Sequence, residues 1–135
     1  MKIVLDTNVL VSALLKSRSK PARILHLVIQ GDIEIIINEY ILAEYLEVLK
    51  RPKFDLDIDR VQTIIDFIRS KGIKAAAIPA SFQLPDSSDE PFLEAALAAK
   101  ADALITGNKR HFPKKATKGQ KIVNPDEFLS LLSSD

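Results

Sequence analysis

Asp6, Glu44 and Asp89 are the residues whose types and positions could do chemistry. Asp6 directly follows a short apolar run, in Leu5-Asp6-Thr7-Asn8; Glu44 lies in a helix-patterned stretch, and Asp89 sits at the mouth of another, before Pro91-Phe92-Leu93. If the three converge, each pair at ~5 Å repels by about 3 kcal/mol at an effective dielectric of 20. A pocket of that kind calls for a divalent cation. Hard carboxylate oxygens, in a chain with 0 cysteines and 2 histidines, select Mg²⁺ or Mn²⁺ over zinc or copper. The matching chemistry is phosphoryl transfer, in which the ion lowers the pKa of a bound water and neutralises charge on the attacked phosphodiester.

Each position also has a plainer reading. Asp6 is a favoured helix N-cap, a role compatible with ligation. Around Glu44 the residues Ile41, Leu42, Tyr45, Leu46, Val48 and Leu49 make one stripe. At about 100° per residue Glu47 falls opposite the stripe, in solvent, while Glu44 falls on its flank, so only Glu44 can lean towards the core edge. A flanking glutamate is otherwise a surface residue. Pro91 constrains Asp89: proline is tolerated only in the first helical turn, where its missing N–H has no intrahelical partner, so the N-cap is Ser88, Asp89 or Glu90. Phe92, Leu93 and Ala96 then stand at i+3, i+4 and i+7 from Asp89, which heads the buried face, with Glu90 and Glu94 to the side. The alternative for Asp89 is a cap or a favourable charge on the helix dipole. Asp86 lies upstream in the loop, as a further carboxylate or as a turn residue after Pro85. Asn108, in Ile105-Thr106-Gly107-Asn108, is turn chemistry or a ligand facing the same crevice.

The elements that must position these residues alternate along the chain. Short β-branched runs at 3–5, 33–37, 75–78, 103–105 and 121–123 predict five strands, and helix-period segments at 7–15, 20–30, 39–50, 58–71, 89–100 and 125–133 lie between them. The near-continuous apolar character of the second and fourth runs suits burial on both faces, which a parallel sheet between helices requires. Pro21 opens the second helix, Gly31 closes it, Pro52 ends the third, Gly72 the fourth, and Asn124-Pro125 starts the last. The expectation is a single α/β domain over 1–135, with an open parallel five-stranded sheet in a Rossmann-like three-layer α/β/α arrangement. Such sheets carry their sites beyond the strand carboxyl ends.

Composition narrows the function classes. A chain of 135 residues, 47% hydrophobic and 27% charged, is one globular domain able to bury roughly two-thirds of its unfolded surface. The lack of cysteine removes disulfide frameworks, thiolate metal sites and cysteine nucleophiles, and the chain reads as cytoplasmic. Asp6 interrupts the first apolar run, and no run approaches the ~20 residues of a membrane span, so neither a signal peptide nor a membrane partner is expected. A net charge of +1 means that any affinity for nucleic acid must come from local patches.

Four segments, in order, resemble the PIN-domain family of metal-dependent ribonucleases, and within it the VapC-like toxin components of toxin–antitoxin pairs. They are Ile3-Val4-Leu5-Asp6-Thr7-Asn8-Val9-Leu10, the helical Glu44 after the second strand, Asp89 opening an alanine-rich helix, and Ala101-Asp102-Ala103-Leu104-Ile105-Thr106-Gly107-Asn108. The resemblance implies a PIN-like parallel sheet and a site of three or four acidic residues holding one or two Mg²⁺ or Mn²⁺ ions. It also implies cleavage of single-stranded RNA by activated water. Asp6, Glu44 and Asp89 match the family's first three acidic places, and Asn108 stands at the fourth, where many members have Asp. By the same analogy the partners are an RNA substrate, a small antitoxin protein and a second copy of the chain.

Two basic groups fit contacts to phosphate, or a solvated surface. One spans 109–121 without an acidic residue and includes Lys109, Arg110, His111, Lys114 and Lys115; the other comprises Lys16, Arg18, Lys20 and Arg23. Phe112 and Tyr40 are the aromatics placed to stack on bases, whereas Phe92, Phe128 and Phe67 suit the core. His26, between Leu25 and Leu27, reads as a packed histidine. Two rival functions stay open. One is a PIN-fold module with a degraded metal site that binds RNA or protein without cutting, for which Asn108 speaks. The other is a phosphotransfer enzyme with Asp6 as nucleophile, against which stand Asn8, where a second Asp would be wanted, and the lack of a Thr-then-Lys arrangement after a late strand.

Overall fold

The computed structural model describes residues 1–76 and 84–133. Its strands β1 (Lys2–Leu5), β2 (Glu34–Ile37), β3 (Ile73–Lys74), β4 (Ala103–Ile105) and β5 (Ile122–Val123) form one sheet in the order β3-β2-β1-β4-β5. Every pairing is parallel, with Ile3 opposite Ile35 on one side and Ala103 on the other. The helices are α1 (Thr7–Leu15), α2 (Lys20–Gln30), α3 (Glu39–Leu49), α4 (Ile58–Lys71), α5 (Glu90–Ala98) and α6 (Pro125–Ser133).

Successive side chains of a strand point to opposite faces. Ile3, Val4 and Leu5, Ile35, Ile36 and Ile37, and Ala103, Leu104 and Ile105 are nevertheless all buried, so both faces of the sheet are covered, as the sequence pattern predicts. Helix α5 packs on β1, β2 and β4, α4 on β2, and α6 on β4 and β5. Local chemistry sets the helix ends. Ser19 accepts from the Ala22 N–H at the start of α2, Asn38 from the Ile41 N–H at the start of α3, and Gly31 closes α2 at φ 86°.

The third strand departs from expectation. It is Ile73–Lys74, paired with Ile36 and Ile37, and so begins two residues before the expected start at 75. The cause is Gly72: a β-carbon there would meet Ile68 O at 2.7 Å and Ile37 Cδ1 at 2.8 Å, so only glycine lets the chain leave α4 and join the edge of β2 at once. The ladder continues through the Ala75 N–H to Ile37 O at 2.8 Å, and the end of the expected run, 77–78, lies outside the described residues. His26 is a second correction. Helix α2 buries Ile24, Leu25 and Val28, and that stripe leaves His26 exposed. Phe112 is a third, since it is buried in the core with Phe92 and Phe128; of the two aromatics placed to stack, Tyr40 alone is exposed.

Strand order now fixes where a site can lie. From β1 the chain winds through β2 to β3 on one side, whereas β4 and β5 occupy the other, so the winding reverses between β1 and β4. Open α/β sheets bind ligands in the crevice beyond that switch point.

Candidate active site

Asp6 occupies the switch point. Its N–H donates to Ile105 O at 2.9 Å, which carries the β1–β4 ladder one residue past β1 and delivers the side chain to the crevice. One residue past the neighbouring strand β4, Thr106 Oγ1 donates to Asp6 Oδ2 at 2.7 Å and accepts from the Asn108 N–H at 3.1 Å. Asp6 stands at the N-cap of α1, yet its side chain makes no capping bond. The carboxylate is thus held chiefly by Thr106, with the Thr7 N–H also stabilising its charge.

Helix α3 grips the chain on both sides of Asp6. The buried Tyr45 hydroxyl donates to Leu5 O at 2.6 Å, and the Thr7 hydroxyl donates to Glu44 Oε2. Glu44 is half-buried, as its place on the flank of the stripe requires, whereas Glu47 is exposed and paired with Arg51 at 2.8 Å. The Tyr45 ring also packs on Phe92 of α5, centroids 6.3 Å apart, so one side chain joins β1, α3 and α5.

Asp89 precedes α5 at the end of a 3-10 turn, Ser87–Asp89, and makes no capping bond either. Its Oδ2 lies 3.0 Å from His111 Nδ1, at an angle outside hydrogen-bond geometry, and is buried without a hydrogen-bond partner among the described residues. His111 Nε2 is 3.1 Å from Asn108 Nδ2. Because Asn108 Oδ1 accepts from the Arg110 N–H at 3.2 Å, the amide presents its NH₂ to the ring. His111 therefore accepts at Nε2 and carries its proton on Nδ1, the nitrogen that faces Asp89.

The three carboxylates feel one another. Burial pushes Asp6 above the usual carboxylate range, against the opposing pull of the Thr106 hydroxyl. Burial raises Glu44 as well, with Asp6 adding to it. Asp89 is pushed up to about 6, first by burial and next by the charge of Asp6. Asp86 behaves differently: it is exposed, its Oδ1 accepts from the Ser88 N–H at 2.9 Å and the Ser88 hydroxyl at 2.7 Å, and these bonds hold it below the usual range. It caps the turn that carries Asp89 and adds negative charge at the rim.

Among the described residues, no three acidic or histidine side chains stand as a finished set of metal ligands. Fit to a divalent cation is therefore judged on donor chemistry. A buried carboxylate oxygen without a donor, in mutual repulsion with two other carboxylates, is what a hard divalent cation relieves, and oxygen donors suit Mg²⁺ or Mn²⁺. Asn108 contributes differently, because both ends of its amide are engaged by Arg110 and His111.

Of the basic candidates, Arg110, Lys114 and Lys115 are exposed, Lys109 is paired with Glu127 at 3.0 Å, and His111 turns inward to Asp89. Thr7, Tyr45 and Thr106 were not singled out by their sequence. Tyr45 carried a signal, since a tyrosine in an apolar stripe needs a partner for its hydroxyl; Thr7 and Thr106 carried none beyond their place after a strand.

A parallel α/β sheet with acidic side chains gathered at its switch point defines a class in which a charged ligand or reacting group meets the strand ends. Within that class the chain belongs to the PIN domain family, whose model matches residues 2–110. PIN domains are generally nucleases. Similar solved structures include VapBC2 from Rickettsia felis bound to a DNA fragment from their promoter, with TM-score 0.61 and 23% identity over 92% of this chain and 98% of that one. FitAB bound to an IR36 DNA fragment gives TM-score 0.62 and 19% identity over 91% and 94% of the two chains. VapBC-1 from nontypeable Haemophilus influenzae gives 0.58 and 16% over 93% and 99%. At these identities the likeness establishes the fold. No curated protein matches the sequence significantly. Among the described residues no helix is long and apolar enough to cross a membrane.

Proposed function

We propose that this chain is a divalent-metal-dependent ribonuclease that hydrolyses phosphodiesters of single-stranded RNA, and that it is the toxin of a toxin–antitoxin pair. The observation that carries the first part is the buried Oδ2 of Asp89, without a hydrogen-bond donor among the described residues and in repulsion with Asp6 and Glu44. Asp6, Glu44 and Asp89 would hold Mg²⁺ or Mn²⁺, which when bound polarises the phosphodiester and lowers the pKa of water enough to make it a nucleophile. Thr106 and Thr7 orient the carboxylates of Asp6 and Glu44. The exposed Arg110, Lys114 and Lys115 offer charge to the RNA backbone.

The second part rests on the family and on the fold neighbours, which are VapBC and FitAB assemblies. It adds two partners, a small antitoxin protein and a second copy of this chain. Incubating the purified protein with a mixed RNA pool, with Mn²⁺ or with EDTA, and mapping the ends tests the enzymatic part. The expected result is Mn²⁺-dependent cleavage that EDTA abolishes; intact RNA in both arms would overturn it. A binding module that does not cut is the second reading, favoured by Asn108, whose amide is engaged in the turn where many family members have a carboxylate. RNA retention without cleavage is its signature.

A further inference from the structure

A cavity of about 440 Å³ opens beyond the carboxyl ends of β2 and β3, between the start of α3 and α5. Ile37, Leu42 and Pro91 give it apolar walls, and Tyr40 stands at its edge with 48% of its surface exposed. Two features join this cavity to the carboxylates. Tyr40 precedes Glu44 by four residues on α3 and so shares its face, and Pro91 follows Asp89 by two residues in α5. Adjacent strands are about 4.8 Å apart, so the cavity lies about 5–10 Å to the side of Asp6, a span of order one nucleotide. The carboxylates Glu44, Asp86 and Asp89 all disfavour the ionised form of Tyr40, after the effect of burial itself, consistent with the same proximity.

We infer that this cavity receives one nucleobase of the RNA, stacked on Tyr40, next to the phosphodiester held at Asp6. The inference rests on the ribonuclease proposal and adds where a flanking base goes. Charge selects the occupant. Glu39, paired with Arg69 at 3.2 Å, and Glu94 lie on the rim with Lys74, so the cavity offers a phosphate little net positive charge, whereas a neutral base needs none. An apolar floor with an exposed ring at the mouth is the surface on which bases stack, irrespective of their identity. Polar groups on the rim then offer a donor and acceptors to the base edge.

The test uses the full chain and a short single-stranded RNA in which 2-aminopurine is walked through the sequence. Binding is read by fluorescence in the Asp6→Asn protein, which is expected not to cut. The expected result is quenching at one position only, with affinity weakened about 5- to 150-fold by Tyr40→Ala and near the parent value in Tyr40→Trp, as stacking requires. In protein with an intact Asp6, an abasic residue at that position raises KM by a similar factor, and Tyr40→Ala is indifferent to it. Quenching at no position, or an abasic penalty undiminished in Tyr40→Ala, would overturn the inference. The two proposals separate cleanly. Cleavage by the parent without quenching in Asp6→Asn leaves the ribonuclease and removes the base site, whereas quenching in Asp6→Asn when the parent cuts no RNA with Mn²⁺ supports the base site and removes the ribonuclease.

Discussion

Thr106 Oγ1 donates to Asp6 Oδ2 at 2.7 Å, joining two residues 100 apart in sequence across the one gap where the strand winding reverses. Thr106 also accepts from the Asn108 N–H, so a single hydroxyl sets both the carboxylate and the turn that carries Asn108 and His111. Thr106→Val keeps the shape and takes this partner from the buried Asp6 Oδ2 and the part-buried Asn108 N–H. Stability should fall by about 1–3 kcal/mol, the cost of orphaning buried polar groups, and RNA cleavage should fall with it. Thr106→Ser should restore most of both. Urea denaturation and cleavage rates on the same preparations check this; a valine variant as active and stable as the parent would exclude Thr106 from positioning Asp6.

Asp6→Asn should remove cleavage with the fold intact. Asparagine still offers an oxygen to Thr106, while one of three clustered charges is gone. Metal-free stability should be unchanged or raised by less than the about 3 kcal/mol that a carboxylate pair at ~5 Å repels at a dielectric of 20, because burial already disfavours the ionised form of Asp6. Undiminished RNase activity in the purified variant would end the assignment.

Acidity provides a further check, through Asp89, which titrates at about 6 against 3.8 ordinarily. Below about 3.8 the folded and unfolded chains both carry the proton; between there and about 6 only the folded chain does. This group therefore favours the metal-free fold at low pH, and the contribution is lost as pH rises to about 6. In EDTA, the stability difference between the parent and Asp89→Asn should shift in the variant's favour as pH climbs through that window, then stay constant. Protons and metal compete for the same oxygen, so Mn²⁺ affinity measured by calorimetry should rise up to about pH 6 and flatten above it. A pH-independent difference would contradict the environment of Asp89.

Asn108→Asp places a carboxylate where the amide NH₂ meets His111 Nε2. Asp still accepts from Arg110, and its other oxygen now faces His111 Nε2, which must carry a proton to satisfy it. The expected result is Mn²⁺ affinity changed by less than about tenfold, or 1.4 kcal/mol, measured by calorimetry. A larger gain in metal affinity would mean that the new carboxylate swings into the crevice and acts as a fourth acidic ligand.

Much of this was legible in the chain. Periodicity and punctuation located the helices to within one or two residues, because caps such as Asn38 and stops such as Gly31 act through neighbouring residues only. The flank position of Glu44 and the first-turn limit set by Pro91 likewise follow from helix geometry, which is local. The third strand was misplaced because its start depends on Gly72 approaching Ile37, a contact between residues 35 positions apart that no window of sequence contains. His26 and Phe112 fell on the wrong side of the surface for the same reason: composition says how apolar a stretch is, and packing decides which face is covered.

The sequence by itself determined the element types, their order and the three acidic positions, since these follow from side-chain periodicity, backbone preference and residue chemistry. Tertiary structure alone decided that Thr106 and Asp6 meet, that Tyr45 and Glu44 hold the residues on either side of Asp6, and that Asp89 keeps a buried oxygen without a donor among the described residues. Those outcomes depend on strand order. Parallel strands joined through helices can be arranged in more than one order at similar local cost, and only the packed core selects the arrangement that sets β1 beside β4.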